Sequence, residues 1–332
     1  MAKIISVFNH KGGVGKTTTV FHLSWLLAEM GKRVLMIDAD SQCNLTGYVL
    51  GLDQFDVFYE TYPERNLMSV VKPAFDAMPK TIQAIDSVPV GDSGRLFLVP
   101  GHIDLSLFEV SLGMAHDLST TLSPFKNLPG SFYEFIQRQV EKDNIDIVLI
   151  DMNPSLSSTN QNLFCISDGF IIPAAPDYFS RMAVKTLSKT LPKWIRWSKN
   201  AVEGFRESTY IWPEKNPIFL GTIVQNFSRR KGLPSNAFQK LIDEFYAEVN
   251  RSLIPALTPS MSIDDSILVK GLIPNFQGLI TKMIELGGPA VPVFYADTLT
   301  TGIVDKNYSQ NKAEYKAAYE SIRDGILKGI GL

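Results

Sequence analysis

The sequence predicts an α/β fold: a mostly parallel twisted sheet flanked by helices. Three observations carry that expectation. Strand-like and helix-like patterns alternate along the chain, as βαβ units require. A glycine-rich loop, Lys11-Gly12-Gly13-Val14-Gly15-Lys16-Thr17-Thr18, joins a first strand to a first helix. Two later apolar runs, 34–37 and 145–150, each end in an acid, as strands do whose C-terminal ends line a ligand crevice.

The elements follow in order. Ile4, Ile5, Val7 and Phe8 make a β-rich strand over 4–8 that stops at the glycine loop. Val20, Leu23, Leu27 and Met30 have helical spacing over 17–30, and Gly31 closes that helix as a C-cap. Strands follow over 34–37 and over 96–99, the latter closed by Pro100-Gly101. The run 145–150 is almost wholly apolar, as in a buried central strand. Further strands are expected over 169–172 and 218–224, and helices over 104–116, 131–142, 181–191, 237–249, 275–286 and 312–328.

The segment 51–127, rich in Pro, Asp and Ser, reads as an irregular insertion after the second strand, packed on the sheet edge. The stretch 287–292 reads as a loop. No internal repeat or low-complexity linker divides the chain, so 1–332 is expected to form one embellished domain. That domain has a basic helical region over 181–240 and a C-terminal helix over 308–330.

The 332 residues are 45% hydrophobic and 20% charged, which suits a soluble globular protein with a core that needs no staples. Two cysteines exclude a disulfide framework and a four-cysteine zinc site, and the four histidines lack zinc-ligand spacing. An all-thiolate iron–sulfur cluster would have to be shared between chains. Without a membrane-length apolar run or a secretory leader, a cytoplasmic location is expected.

The glycine loop carries the most specific chemistry. Gly12, Gly13 and Gly15 let the backbone N–H groups of Val14 and its neighbours turn inward around phosphate oxygens. The helix that opens at Lys16-Thr17-Thr18 adds the partial positive charge of its N-terminus. Lys16 suits the β/γ phosphates of a bound nucleotide, and the Thr17 hydroxyl suits Mg²⁺. His10 stands where the general pattern has glycine, and Lys11 adds a second lysine. Asp38 and Asp40 fall on one side of the second strand, at the end where ligands bind. They suit a ligand to a metal-bound water and a group that orients the attacking water. Asp151, which follows the buried run, fits the acid that holds Mg²⁺.

Lys-Gly-Gly-x-Gly-Lys-Thr-Thr resembles the phosphate loop of the ParA/MinD family of ATPases, marked by its extra lysine. Asp38-Ala39-Asp40-Ser41-Gln42 is similar to the family's Asp-x-Asp-Pro-Gln, with Ser41 for Pro and Cys43 where Gly is common. Asp151-Met152-Asn153-Pro154-Ser155-Leu156 is similar to Asp-Thr-Pro-Pro-Ser-Leu, with Met152 and Asn153 as departures. The resemblance covers 3–44 and 146–230 well, and 51–127 and 255–305 poorly. It implies a Mg²⁺-dependent ATPase that closes into an ATP-bound homodimer, with Lys11 reaching the partner's nucleotide and Asp40 supporting hydrolysis. It also implies a protein partner that stimulates turnover. The loop Pro173-Ala174-Ala175-Pro176-Asp177-Tyr178 looks like the family's segment near the base, which places Pro176 there. Gln225 or Asn226 would meet the purine edge, or else cap the end of a strand. Cys43 reads as a small residue rather than a redox switch.

Charge is unevenly spread. Residues 1–180 carry a net of −8, residues 181–240 a net of +9 and residues 241–332 a net of −3. Arg181, Lys185, Lys189, Lys193 and Arg196 recur at helical steps, with Pro192 interrupting, so two short helices are an alternative to one. Arg229, Arg230 and Lys231 form a second cluster. These residues suit phosphate-backbone contact or a solvated face. The resemblance favours non-specific DNA, for partition or cargo positioning, with nucleoid association. Only ten residues precede Lys11, so no operator-reading domain is expected there.

A MinD-like positioning switch without DNA is the alternative. It needs the stripe Tyr315, Tyr319, Ile322, Ile326 and Ile330 to lie on a membrane rather than on the core. We favour packing on the core. A kinase acting on a small molecule or on Tyr308, Tyr315 and Tyr319 is a third class.

Overall fold

The computed structural model describes residues 1–78, 80–118, 125–230, 233–275, 289–295 and 308–332. Eight strands form one sheet: β1 (Lys3–Val7), β2 (Val34–Ala39), β3 (Val88–Val90), β4 (Leu96–Val99), β5 (Ile147–Met152), β6 (Gly169–Ala174), β7 (Ile218–Phe227) and β10 (Val269–Pro274). Their order is β10-β7-β6-β1-β5-β2-β4-β3. All pair in parallel except β3, which runs antiparallel to β4. β8 (Arg229–Arg230) and β9 (Leu233–Pro234) form a separate two-stranded ribbon.

Period-two alternation divides the core between the two sheet faces. Ile4 on β1 and Phe8 just after it face one layer, while Ile5 and Val7 face the other. The first layer is covered by α4 (Leu67–Phe75), α5 (Glu109–Leu118), α6 (Leu128–Asp143), α7 (Ser158–Cys165), α8 (Tyr178–Gly204), α9 (Asn236–Glu248) and α10 (Ile254–Leu257). The second is covered by α1 (Lys16–Glu29), α2 (Asn44–Leu50) and the C-terminal α11 (Tyr308–Gly329). With helices on both faces, the central strands are mostly apolar, and β5 and β6 are buried at every position, Asp151 included.

One expectation needs correction, and two of the alternatives fall. The segment 51–127 is far from irregular. It holds α3 (Leu52–Thr61), α4, β3, β4, a 3₁₀ segment at Ile103–Phe108, and α5. Its short elements alternate Pro, Asp and Ser with apolar residues, so no single periodicity shows in the sequence. Pro192 does not divide the basic helix: α8 is continuous for 27 residues. The proline costs about 3 kcal/mol in a helix interior. Burial of Leu187, Leu191, Trp194 and Ile195 on the same helix offsets this at roughly 1.5–3 kcal/mol for each large apolar side chain. The stripe Tyr315, Tyr319, Ile322, Ile326 and Ile330 is buried against β10 and α1, so the membrane-surface alternative for it falls. No helix among the described residues is long and apolar enough to cross a membrane. The helix expected over 275–286 lies outside the described residues, apart from Asn275.

Candidate active site

β1 stands at the centre of the sheet, so the loop that follows it opens at the middle of the C-terminal edge. Gly13 and Gly15 are left-handed, with φ of 70° and 81°, which glycine adopts without a Cβ penalty. At Gly15 space demands glycine as well, because a Cβ there would lie 2.6 Å from Gln225 Oε1. Gln225 Nε2 donates to the Gly15 carbonyl at 3.1 Å and to Thr19 Oγ1 at 2.7 Å. Thr19 Oγ1 donates in turn to the Gly15 carbonyl at 2.8 Å. This brace, set by a buried residue of β7, fixes the start of α1. Gln225 therefore supports the loop. Asn226 is exposed in the left-handed region at φ 63°, a conformation asparagine tolerates at the end of a strand. Pro176 is buried in the β6–α8 loop.

The Lys16 side chain is buried, with its Nζ 3.4 Å from the Lys11 carbonyl. Burial lowers its pKa, while the charges of Asp151 and Asp40 work in the opposite sense. Lys11 turns away from its own loop. Its ammonium pairs with Asp177 and lies 3.4 Å from Ser180 Oγ. Asp177 also caps α8, accepting from the Ser180 N–H at 2.8 Å. Burial works against its charge, yet Lys11 and Ser180 hold its carboxyl below the ordinary value. Reading the sequence for motifs missed this role, although Asp-x-x-Ser before a helix is a capping signature.

Asp38 and Asp151 are register partners across β2 and β5, and both are fully buried. Asp38 is engaged: Oδ2 accepts from Thr46 N at 2.8 Å and Thr46 Oγ1 at 2.7 Å, and Oδ1 accepts from Asp40 N at 3.2 Å. Its pKa is pushed up to about 6 by burial, against the pull of these hydrogen bonds. Asp151 differs, since neither carboxylate oxygen makes a hydrogen bond of ordinary geometry, although the Thr17 hydroxyl and the Lys16 charge both favour its ionised form. Burial and the neighbouring Asp38 charge hold its pKa well above the ordinary value. A buried carboxylate beside Thr17 and Lys16 is the donor set expected for Mg²⁺, which keeps several waters and takes few protein ligands. The residues present therefore fit the ion, with Asp151 the better ligand and Asp38 a support that clamps α2 to the end of β2. Asp40 is buried, and its Oδ1 accepts from Gln42 N at 3.0 Å. Cys43 is buried and its thiol is pushed up to about 12, chiefly by burial.

This arrangement gives a testable trade of stability for function. A native carboxylate with a raised pKa takes up its proton more readily than the unfolded chain does. Native stability then falls as pH rises from about 4 through the raised values, about 6 for Asp38. In EDTA at pH 7.5, Asp151→Asn should raise the melting temperature of the nucleotide-free protein. A gain of about 1–3 kcal/mol corresponds to a few degrees. The gain should shrink toward pH 5, where the wild type protonates itself, and Mg²⁺-dependent nucleotide affinity should be lost. A lower melting temperature at pH 7.5 would contradict the electrostatic account.

The basic residues divide. Arg181 pairs with Glu244, and Lys185 lies 3.9 Å from Glu248, both acids from α9. Arg229 pairs with Glu314 of α11 and lies over the Tyr315 ring. These three are not a free cationic patch, because partners 63, 63 and 85 residues away supply the countercharge. Lys189, Lys193 and Arg196 remain exposed on α8, joined by Lys199. The side chain of Arg230 and the whole of Lys231 lie outside the described residues.

Residues 2–203 match the AAA domain family. An uncharacterised protein of Methanocaldococcus jannaschii is 32% identical over 240 residues, spanning 72% of this chain and 78% of that protein. The chromosome partitioning protein ParA of Caulobacter vibrioides is 28% identical over 254 residues, spanning 76% and 80%. The structure of pNOB8 ParA bound to nonspecific DNA aligns over 100% of this chain and 99% of its own, with a TM-score of 0.54 and 21% identity, a likeness of fold. The match over more than half the chain and the extra-lysine phosphate loop agree, and the chain belongs to the ParA/MinD-type family of P-loop ATPases.

Proposed function

We propose that the protein is a ParA-like switch that binds ATP with Mg²⁺, closes into a homodimer, binds DNA without sequence preference and reopens on hydrolysis. The observation that carries the nucleotide reading is the buried Asp151 carboxylate, without a hydrogen bond of ordinary geometry and under the influence of Lys16 and Thr17. In this reading the N–H groups of residues 12–18 cradle the phosphates, Lys16 neutralises them, and Thr17 with Asp151 holds Mg²⁺. The ion would supply charge neutralisation at the phosphate oxygens. Asp40 orients the attacking water at the mouth of the loop. Lys11, held outside its own loop by Asp177, is free to exchange that partner for the nucleotide of a second copy. Differential contact with the terminal phosphate gives the switch its two states.

DNA contact rests on Lys189, Lys193 and Arg196, which keep their charge exposed on α8. Partition or cargo positioning on DNA is the task we infer, reset by a partner that stimulates turnover. The test is binding of the Asp40→Ala protein to random-sequence duplex DNA, with ATP, with ADP and without nucleotide, across a salt series. Binding should require ATP and weaken steeply with salt. Replacing Lys189, Lys193 and Arg196 by Ala should reduce the log–log salt slope by roughly 0.9 for each phosphate that the protein no longer neutralises. No binding in any nucleotide state, by protein shown to hold ATP and dimerise, would sink the DNA reading. It would leave the nucleotide reading standing.

A further inference from the structure

A surface beside the β2 and β4 ends is built unlike the rest of the molecule. α3 buries none of its residues, although five of the ten are Leu52, Phe55, Val57, Phe58 and Tyr59. Its rings pack among themselves, Phe55 and Phe58 against Tyr59, and Phe58 against Tyr62. Tyr59 anchors the helix, its hydroxyl donating to the Gly101 carbonyl at 2.7 Å and its ring meeting His102 edge-on. From that anchor the chain runs into the 3₁₀ segment and α5. One side of this stretch, with Leu105, Phe108, Leu112 and Ala115, is buried in the core. The other carries Ile103, Leu107, Val110 and Met114 at steps of four, three and four. They are 70%, 67%, 69% and 47% exposed. A surface helix ordinarily presents one apolar face, to the core. A second apolar stripe in solvent is the mark of a binding surface.

Charge specifies the occupant. Residues 52–64 hold Asp53, Asp56, Glu60 and Glu64, and residues 102–118 hold Asp104, Glu109 and Asp117, with no Lys or Arg in either stretch; the one neighbouring cation among the described residues that lies over these rings is Arg65, against Phe58 and Tyr62. Among the described residues none of the seven is paired with Lys or Arg; Asp104 has only His102, at 3.9 Å. A nucleic acid or an anionic membrane would be repelled, and two copies docking by this same patch would bring like charges together. We propose that α3 and the 103–114 stripe dock a basic amphipathic segment of a partner protein. Its apolar side chains would cover Ile103, Leu107, Val110 and Met114, and its Lys or Arg heads would meet the carboxylates. The proposal goes beyond the switch reading and stands without it, because neither stretch lends a group to the phosphate loop.

The test uses the full chain without nucleotide and a fluorescent Leu/Lys peptide of about 18 residues, patterned as an amphipathic helix and long enough to fold on contact. Controls are a scrambled peptide of the same composition and a Leu/Glu counterpart. Binding is read by anisotropy for wild type, for Asp53→Lys/Asp56→Lys/Glu60→Lys and for Leu107→Ser/Val110→Ser. All these positions are solvent-facing, and circular dichroism and melting confirm the fold. The patterned basic peptide should bind wild type and lose at least about tenfold in affinity against each variant. Both control peptides should bind wild type at least about tenfold more weakly. Equal binding by the scrambled peptide, or unchanged affinity in either variant, would overturn the proposal. So would self-association that Leu107→Ser/Val110→Ser abolishes, which would assign the stripe to a second copy. Preferential binding to phosphatidylglycerol vesicles would assign it to a lipid surface.

Discussion

Lys16→Ala should weaken ATP binding by two to three orders of magnitude, read by calorimetric titration in the presence of Mg²⁺. The size follows from the setting. Lys16 is buried, and its charge is felt by Asp151 and Asp40. Removing it leaves the Asp38 and Asp151 carboxylates facing an anionic nucleotide with no cation of their own chain inside the loop. Truncating one member of a buried charge pair costs about 2–5 kcal/mol, or roughly 30- to 5,000-fold in affinity. The fold should survive, because the backbone of the loop is braced by Gln225 and Thr19 rather than by Lys16. An affinity within about threefold of wild type, in a protein with a native melting curve, would remove Lys16 from the phosphate site.

Asp40→Ala should leave ATP bound and stop its turnover. Asp40 sits two residues beyond Asp38 at the end of β2, with its carboxylate held by the Gln42 N–H. It makes no ion pair among the described residues and clamps no helix, in contrast to Asp38, which fixes Thr46. Its loss therefore falls on chemistry rather than on folding. A group that positions or deprotonates the attacking water contributes roughly a hundred- to ten-thousand-fold, so kcat should drop within that range. The dissociation constant for ATP should stay within a few-fold. A variant that keeps its turnover, or loses ATP and turnover together, would refute the role. Ser41, in the place of the family's proline, frees the backbone beside this carboxylate. Ser41→Pro is a direct measure of how far loop stiffness sets the rate.

Local chemistry was legible in the sequence, and long-range pairing was not. The glycine loop, the strand before it and the acids closing β2 and β5 depend on neighbours a few residues away, so spacing revealed them. The bracing role of Gln225 was not legible, because nothing in its neighbourhood shows that β7 reaches past β6 to the loop that follows β1. Arg181, Lys185 and Arg229 looked like a continuous cationic surface until α9 and α11 supplied Glu244, Glu248 and Glu314. The buried face of α11 was readable from its tyrosines and isoleucines, since one apolar stripe at helical spacing needs a core to cover it. The second stripe, at 103–114, was passed over. A helix was legible over 104–116, but its exposed apolar residues alternate with buried ones, so the division into two apolar faces was not.

The bracing of the phosphate loop by Gln225 has a consequence for synthesis. β1 lies between β5 and β6, and Gln225 follows Gly15 by 210 residues. At about 5–20 residues per second the ribosome needs roughly 10–40 s to deliver that brace after the loop has emerged. β5 and β6 are made before Gln225, so β1 gains both neighbours first and the glycine turn receives its brace last. The loop is fully braced only when most of the chain has been made, so the stability that nucleotide confers falls mainly on the nearly complete protein.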